Sequence, residues 1–564
     1  MSKLCIIGLD GATFTVIDYL VEQKRLPNFS RLMDEGSHGT LLSTAPPLTW
    51  PAWASFFTGT NPGKTGAADL FKFRPGTYKL EPMNAGNLHG TPFWSLAGSQ
   101  GKRVCVYNVP VTYPAVPVNG ILISGLDAPG FNDKSIYPLE LREKLLEAVP
   151  EFRISFENDA KYLVNNHKEP VKEWIRQLKD YLKMEIKVIN YLMQLEDWDL
   201  FVSVIRSTDI FQHTLWADIE KVIAGEEVSG MEMMRAEAVF ACYESIDREL
   251  GESWSRWGSD RNLIIMSDHG FGCLRGIVSI NRVLAGAGLL KFRPVSSKKR
   301  SRSYLVKKLQ ERLPLETRQR IKRFLGRGGA EERWFSYVDV LVADIDWERT
   351  KICSIGGFGC LYVNLKGRDP LGTVSSEEER QEVLAAAETA ISELRDPRDG
   401  QPMVTRFYRK EDIYHGPLMP EIPDLIVDLR DWAYCTVIGT ASDLAAESII
   451  REPTREWKQL AHTGAHRREG ILVLHGPDVD HAKLKGAQMV DIAPTALNII
   501  GISASRDYDG QVLEAALSGG RAKQVRETDI TDDAVREEHK PAGDTYSDSD
   551  EEEIRNRLSD LGYL

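Results

Sequence analysis

Short apolar runs alternate along this chain with longer stretches in which apolar positions recur every three or four residues. Leu4–Leu9, Arg103–Tyr107, Leu200–Ile205, Asn262–Met266, Cys360–Asn364, Asp424–Val427 and Ile471–Leu474 are runs of the first kind. Near-continuous apolarity at that length predicts strands buried on both faces. Leu139–Leu146, Val171–Leu195 and Met231–Leu250 have the spacing of amphipathic helices. The alternation predicts a three-layer α/β/α sandwich with a mostly parallel central sheet. In such sheets ligands gather outside the carboxyl ends of the strands. Polar residues fall there in this chain: Asp10 after the first run, Thr208 and Asp209 after Leu200–Ile205, and Asp268-His269 after Asn262–Met266. Three coincidences of this kind point to a single site.

Length and charge narrow the class. With 564 residues the chain can bury a large core, as several domains or as one α/β domain with insertions. The division expected is an α/β core over 1–284, a cap or insertion over 285–345, the second part of the core over 346–504, and an acidic linker with a helical tail over 505–564. Between Lys298 and Arg327 the insertion is rich in Lys and Arg, with Leu305, Leu309, Leu313, Ile321 and Leu325 interspersed; such a segment suits a lid over an anionic substrate or a solvated face. Ile554, Leu558 and Leu561 follow an acidic run at helical spacing. The formal net charge of −12 argues against general nucleic-acid binding, which needs a basic surface. Seven scattered cysteines in no metal-finger spacing read as reduced residues. No apolar stretch has the length of a membrane span, and Leu4–Leu9 is too short for a signal peptide core. A cytoplasmic enzyme is expected.

The chemistry resides in four segments. In Pro46-Pro47-Leu48-Thr49-Trp50-Pro51, Pro51 marks the first turn of a helix and sets Thr49 near its N-cap. There a hydroxyl meets the positive end of the helix dipole, where a phosphate binds and a neighbouring metal would activate an attacking oxygen; plain helix capping is the simpler account of Thr49 alone. Asp209 and His213 lie four residues apart, on one face of a helix beginning at Thr208. Asp268 and His269 can face one ion only where the backbone turns, as Gly270 and Gly272 would permit. His462, His466 and His475 all lie near the Ile471 strand, and spacing does not choose among them; His466 could swing in from a loop, Arg467–Gly470.

Asp10-Gly11, Thr49, Asp209-x3-His213, Asp268-His269-Gly270 and Gly464-Ala465-His466-Arg467, in that order, resemble the alkaline phosphatase superfamily, and within it the type I phosphodiesterase/nucleotide pyrophosphatase group and its phosphohydrolase or phosphomutase relatives. The resemblance covers roughly 1–130, 195–290 and 345–502. It implies one metal at Asp10, Thr49, Asp268 and His269, and a second at Asp209, His213 and His466. This chooses His466 over His462. Mixed carboxylate and imidazole ligands suit two divalent ions, Zn²⁺ first and Mn²⁺ as the alternative. It further implies in-line attack by Thr49 on a small phosphate ester, a nucleotide among the candidates, through a phosphothreonine. Sulfatases carry Cys or Ser at position 49 and Arg four residues later, where this chain has Trp53; threonine belongs to the diesterase branch. Thr65-Gly66-Ala67-Ala68-Asp69-Leu70 lacks the asparagine with which nucleotide pyrophosphatases hold a phosphoryl oxygen. Lys64, Asn108, Lys351, Asn364 and Arg368 stay outside the catalytic set. A phosphomutase using the same metals and a non-catalytic scaffold are the competing readings, and self-association is left open.

Overall fold

The computed structural model describes residues 2–156, 168–257, 261–293, 344–437, 449–451 and 462–519, with 545–547, 550–551 and 553–554 near the C terminus. At its centre is a nine-stranded sheet. In spatial order its strands are Lys483–Gln488, Ser37–Leu42, Glu469–His475, Asn262–Met266, Leu4–Leu9, Leu200–Ile205, Val104–Val109, Gly120–Ser124 and Ile136–Tyr137. The five from Asn262–Met266 to Gly120–Ser124 are mutually parallel. Glu469–His475 and Ile136–Tyr137 join them antiparallel on either side.

The central strand shows why these runs are apolar throughout. Leu4 and Ile6 enter one core, while Cys5, Ile7 and Leu9 enter another on the opposite face. Helices Thr49–Thr58, Phe93–Ser99 and Ile492–Ile499 cover the first face. Phe14–Glu22, Pro27–Glu35, Leu141–Ala148, Lys168–Leu195, Ser207–Ile223 and Gly230–Trp257 cover the second. The three-layer sandwich is thus present, with the expected strands and the helices expected over 139–146, 171–195 and 231–250 in place to within a few residues at most ends. No helix among the described residues is long and apolar enough to cross a membrane.

Two expected strands join a different sheet. Cys360–Val363 and Leu425–Leu429 pair with Ile352–Ile355 and Val404–Arg409 in a four-stranded antiparallel sheet. An apolar run marks a buried strand but carries no information about which sheet buries it. The Lys298–Arg327 stretch and nearly all of the tail helix lie outside the described residues.

One close approach positions the site. Trp53, fully buried on helix Thr49–Thr58, packs over Gly8 of the central strand, where an added Cβ would sit 2.4 Å from its Cη2. Burying an indole contributes roughly 5 kcal/mol. It also seats the helix on the strand that ends at Asp10, bringing Thr49 to that edge.

Candidate active site

Asp10 follows the central strand directly, and its neighbour Gly11 has φ +68°, a conformation costly for any residue with a Cβ. A Cβ there would also meet the Phe271 ring at 2.7 Å. With the chain so turned, Gly11 N donates to Asp268 Oδ1 at 3.1 Å, tying the ends of two adjacent parallel strands together. Helix Ser207–Ile223 is locked to the same place: Thr208 Oγ1 donates to Asp10 O at 2.6 Å and Gln212 Nε2 to Gly11 O at 2.8 Å. Its first turn carries Asp209, and the next carries His213.

Thr49 is the first residue of its helix. Leu48 holds the cap position, without a side-chain cap bond. Thr49 Oγ1 lies 3.4 Å from His269 Nε2. The turn expected at Asp268-His269 is present, but Gly270 and Gly272 belong to the strand after it, Gly270–Cys273. His466 likewise sits not in a loop but on strand Gly464–Arg467, antiparallel to Gly270–Cys273 with Phe271 opposite His466. Neither strand has the apolar run that signals a buried strand in sequence. This two-stranded ladder carries His466 across to the other ligand candidates.

All seven candidate residues converge, and six of them are fully buried. Ligand atoms of Asp10, Asp268 and His269 lie within 4.8 Å of one another, as do those of Asp209, His269 and His466. His213 Nε2 is 3.3 Å from Asp209 Oδ1 and 2.9 Å from His466 Nε2. His462 stands just outside, its ring edge-on to His213 at 5.1 Å and in neither group. His475 points elsewhere, to Glu35 at 3.0 Å. Lys64 is paired with Asp509 at 2.5 Å, Lys351 with Glu379 at 3.1 Å, and Asn364 donates to three backbone carbonyls.

The donor set fits cations. His213 Nδ1 lies 3.2 Å from Gly464 O, His269 Nδ1 3.1 Å from Gly270 O and His466 Nδ1 2.8 Å from Pro47 O. A carbonyl can only accept, so each Nδ1 carries a proton and each ring turns its Nε2 inward. His213 Nε2 and His466 Nε2 meet at 2.9 Å, a contact that needs a proton or a metal ion shared between the two nitrogens. Asp10 Oδ1 and Asp268 Oδ2, also buried, receive no hydrogen bond. Burial, then Asp268 and Asp209, pushes the Asp10 carboxyl well above its usual range, and burial pushes Asp268 up to about 7. At Asp209 burial works the same way, but the adjacent His213 and His466 imidazoles outweigh it, holding this carboxyl well below its usual range. Burial lowers His269 to about 4 and His466 to about 3, leaving both neutral and able to ligate.

Sequence reasoning missed Arg206, whose buried guanidinium reaches Asp10 and Asp209. A basic residue at a strand end between proposed ligands was the available signal. It also missed Glu185, in the middle of helix Lys168–Leu195, which accepts hydrogen bonds from Arg206 N at 2.9 Å and from Ser207. Nothing in its local sequence distinguishes it.

A parallel sheet with carboxylates and imidazoles at its carboxyl edge, beneath a threonine that opens a helix, defines a phosphoric ester hydrolase of the alkaline phosphatase superfamily. The chain belongs to the type I phosphodiesterase / nucleotide pyrophosphatase family, whose profile matches residues 4–443. Among solved structures it is similar to murine ectonucleotide pyrophosphatase/phosphodiesterase 5, at 12% identity and TM-score 0.47 over 92% of this chain and 100% of that one. It is also similar to phosphonoacetate hydrolase from Sinorhizobium meliloti 1021, at 14% identity and TM-score 0.49 over 89% and 96%. No curated protein matches the sequence significantly.

Proposed function

We propose a two-metal phosphodiesterase in which Thr49 is the nucleophile. Asp10, Thr49, Asp268 and His269 would hold one ion, and Asp209, His213 and His466 the other. When bound, two divalent ions, zinc by this donor set and manganese as the alternative, supply positive charge to the phosphoryl oxygens and lower the pKa of the attacking hydroxyl. Thr49 Oγ attacks phosphorus while the bond to the leaving ester oxygen breaks, giving an alcohol and a phosphothreonine whose phosphoryl group is still esterified to the second alcohol. Water then attacks phosphorus, the bond to Oγ breaks, and a phosphomonoester leaves. The helix dipole at Thr49 stabilises the anionic group throughout. The Asp69 region supplies no asparagine, so nucleotides are one substrate class among small diesters.

The observation that carries this reading is Thr49 Oγ1 at 3.4 Å from His269 Nε2, beside inward-facing imidazole Nε2 atoms and unbonded carboxylate oxygens. It is tested by metal content of the purified protein and by hydrolysis of bis-p-nitrophenyl phosphate against p-nitrophenyl phosphate. About two ions per chain and diester cleavage reduced at least ~10³-fold in Thr49→Ala are expected. Metal without turnover of either ester turns the reading towards a phosphomutase, and absence of metal overturns it. All seven cysteines are unpaired, which supports a reducing, cytoplasmic location; fractionation of tagged protein with a secreted pool would contradict that.

A further inference from the structure

Arg206 follows strand Leu200–Ile205 and immediately precedes the helix that bears Asp209 and His213. Its side chain is 1% exposed. Nε donates to Asp10 Oδ2 at 3.2 Å, and Nη2 lies 3.8 Å from Asp209 Oδ2. These carboxylates belong to different halves of the proposed metal site. Each turns its Oδ2 to Arg206 and its Oδ1 to the imidazoles. Asp10 Oδ1 is 3.6 Å from His269 Nε2. Asp209 Oδ1 is 3.3 Å from His213 Nε2 and 3.5 Å from His466 Nε2. One rigid guanidinium therefore selects, for two ligands at once, which oxygen faces a cation. Lysine, a single point charge on a flexible stem, cannot hold two carboxylates in this way.

The backbone that carries the guanidinium is itself held in place. Glu185 Oε1 accepts from Arg206 N at 2.9 Å, and its Oε2 accepts from Ser207 N at 3.4 Å and from the Ser207 hydroxyl. A carboxylate from a neighbouring helix thus serves the unsatisfied N–H groups where helix Ser207–Ile223 begins, a position at which negative charge is favourable. Charge adds a second reason for Arg206. Three buried carboxylates converge here, and a fixed cation against two of them offsets their repulsion on the side away from the imidazoles.

We infer that Arg206 is a positioning residue that couples the two metal half-sites, aiming Asp10 Oδ1 into one and Asp209 Oδ1 into the other so that both ions bind. The inference rests on the two-metal reading above. Groups that orient metal ligands typically change affinity 10- to 100-fold when lost. The test is calorimetric titration of Zn²⁺ into chelator-stripped full-length protein for wild type, Arg206→Met and Arg206→Lys, with circular dichroism of each stripped protein to establish that it is folded. Wild type should take up two ions. Arg206→Met should bind both roughly 10- to 100-fold more weakly. Arg206→Lys should restore the charge and only part of that loss. With metal saturating, diester turnover in both variants should show lowered kcat and little change in KM. A folded Arg206→Met that binds two ions as wild type does would overturn the inference. Where Arg206→Met does not fold, wild-type affinity in Arg206→Lys would overturn it equally. Failure of the wild type to bind zinc sinks the metal site itself, a result distinct from binding that is indifferent to residue 206.

Discussion

The two halves of the site are built differently. Asp10 and Asp268 face each other with one imidazole, His269, whereas Asp209 has His213 and His466 within 3.5 Å and shares His269 with the first group. The first pair is pushed up, Asp268 to about 7, because burial and like charge both oppose ionisation there. Asp209 is equally buried, but imidazoles compensate it and its carboxyl is held down. Burial therefore does not fix the protonation of a ligand; the neighbours do. In the two-metal reading we propose, one half would take its cation by displacing protons, and the other would present an ionised carboxylate beforehand.

The largest expected effects come from breaking either half. Asp268→Asn in the first and His466→Ala in the second should each lower kcat/KM for a diester by at least ~10²-fold, with one metal ion lost per chain. If His466→Ala keeps both its second ion and its activity, the second half is not a metal site. A smaller effect separates the halves by pH. Asp268 has a folded pKa of about 7 against a usual 3.8, so between those values the metal-free native state holds a proton that the unfolded chain has released. Stability of the metal-free protein from this group falls as pH rises through that window, and a bound ion removes the penalty. Binding of one ion should then strengthen by about tenfold per pH unit from 5 to 7 for each proton displaced, and level off above 7. Binding of the other should change little. Zinc titrations at pH 6 and 8 decide this; two ions with the same pH slope would erase the contrast.

How far the sequence disclosed each half follows the same division. Asp10 and Asp268-His269 stand directly after apolar runs that become parallel neighbours, Leu4 opposite Asn262 and Gly8 opposite Met266, so period and position sufficed to place them together. Asp209 and His213 were legible as a helical i, i+4 pair. His466 was not. It reaches the cluster through the ladder Gly270–Cys273 with Gly464–Arg467, a pairing nearly two hundred residues apart in sequence between two segments with no apolar run. Only the ordered resemblance selected it over His462. Arg206 and Glu185 were invisible for another reason: a second layer that orients ligands follows from three-dimensional contact and leaves no period in the chain. The antiparallel sheet that takes up Cys360–Val363 escaped for want of any signal of partner choice.

The gentlest way to sharpen the contrast is to disturb one half by packing alone. Thr49 belongs to the first half in our assignment, and its helix is seated by Trp53 over Gly8. Alanine at position 8 would place a methyl carbon 2.4 Å from Trp53 Cη2 and 3.1 Å from Val204 Cγ2. That is well inside van der Waals contact, and Trp53, fully buried, has no open space to enter. Helix Thr49–Thr58 must shift outward, at a cost of about 1–3 kcal/mol in stability. Because Asp209 and His213 ride on another helix, and only His466 touches the segment before Thr49, through Pro47 O at 2.8 Å, the second half should lose less affinity than the first. The first should bind more weakly, and kcat should fall severalfold as Thr49 leaves its place near His269. Denaturant melts and zinc titration of Gly8→Ala measure both. Equal weakening of the two ions would mean that the halves share one mechanical unit through Asp10 and Arg206, and that the separation drawn from their protonation does not extend to their packing.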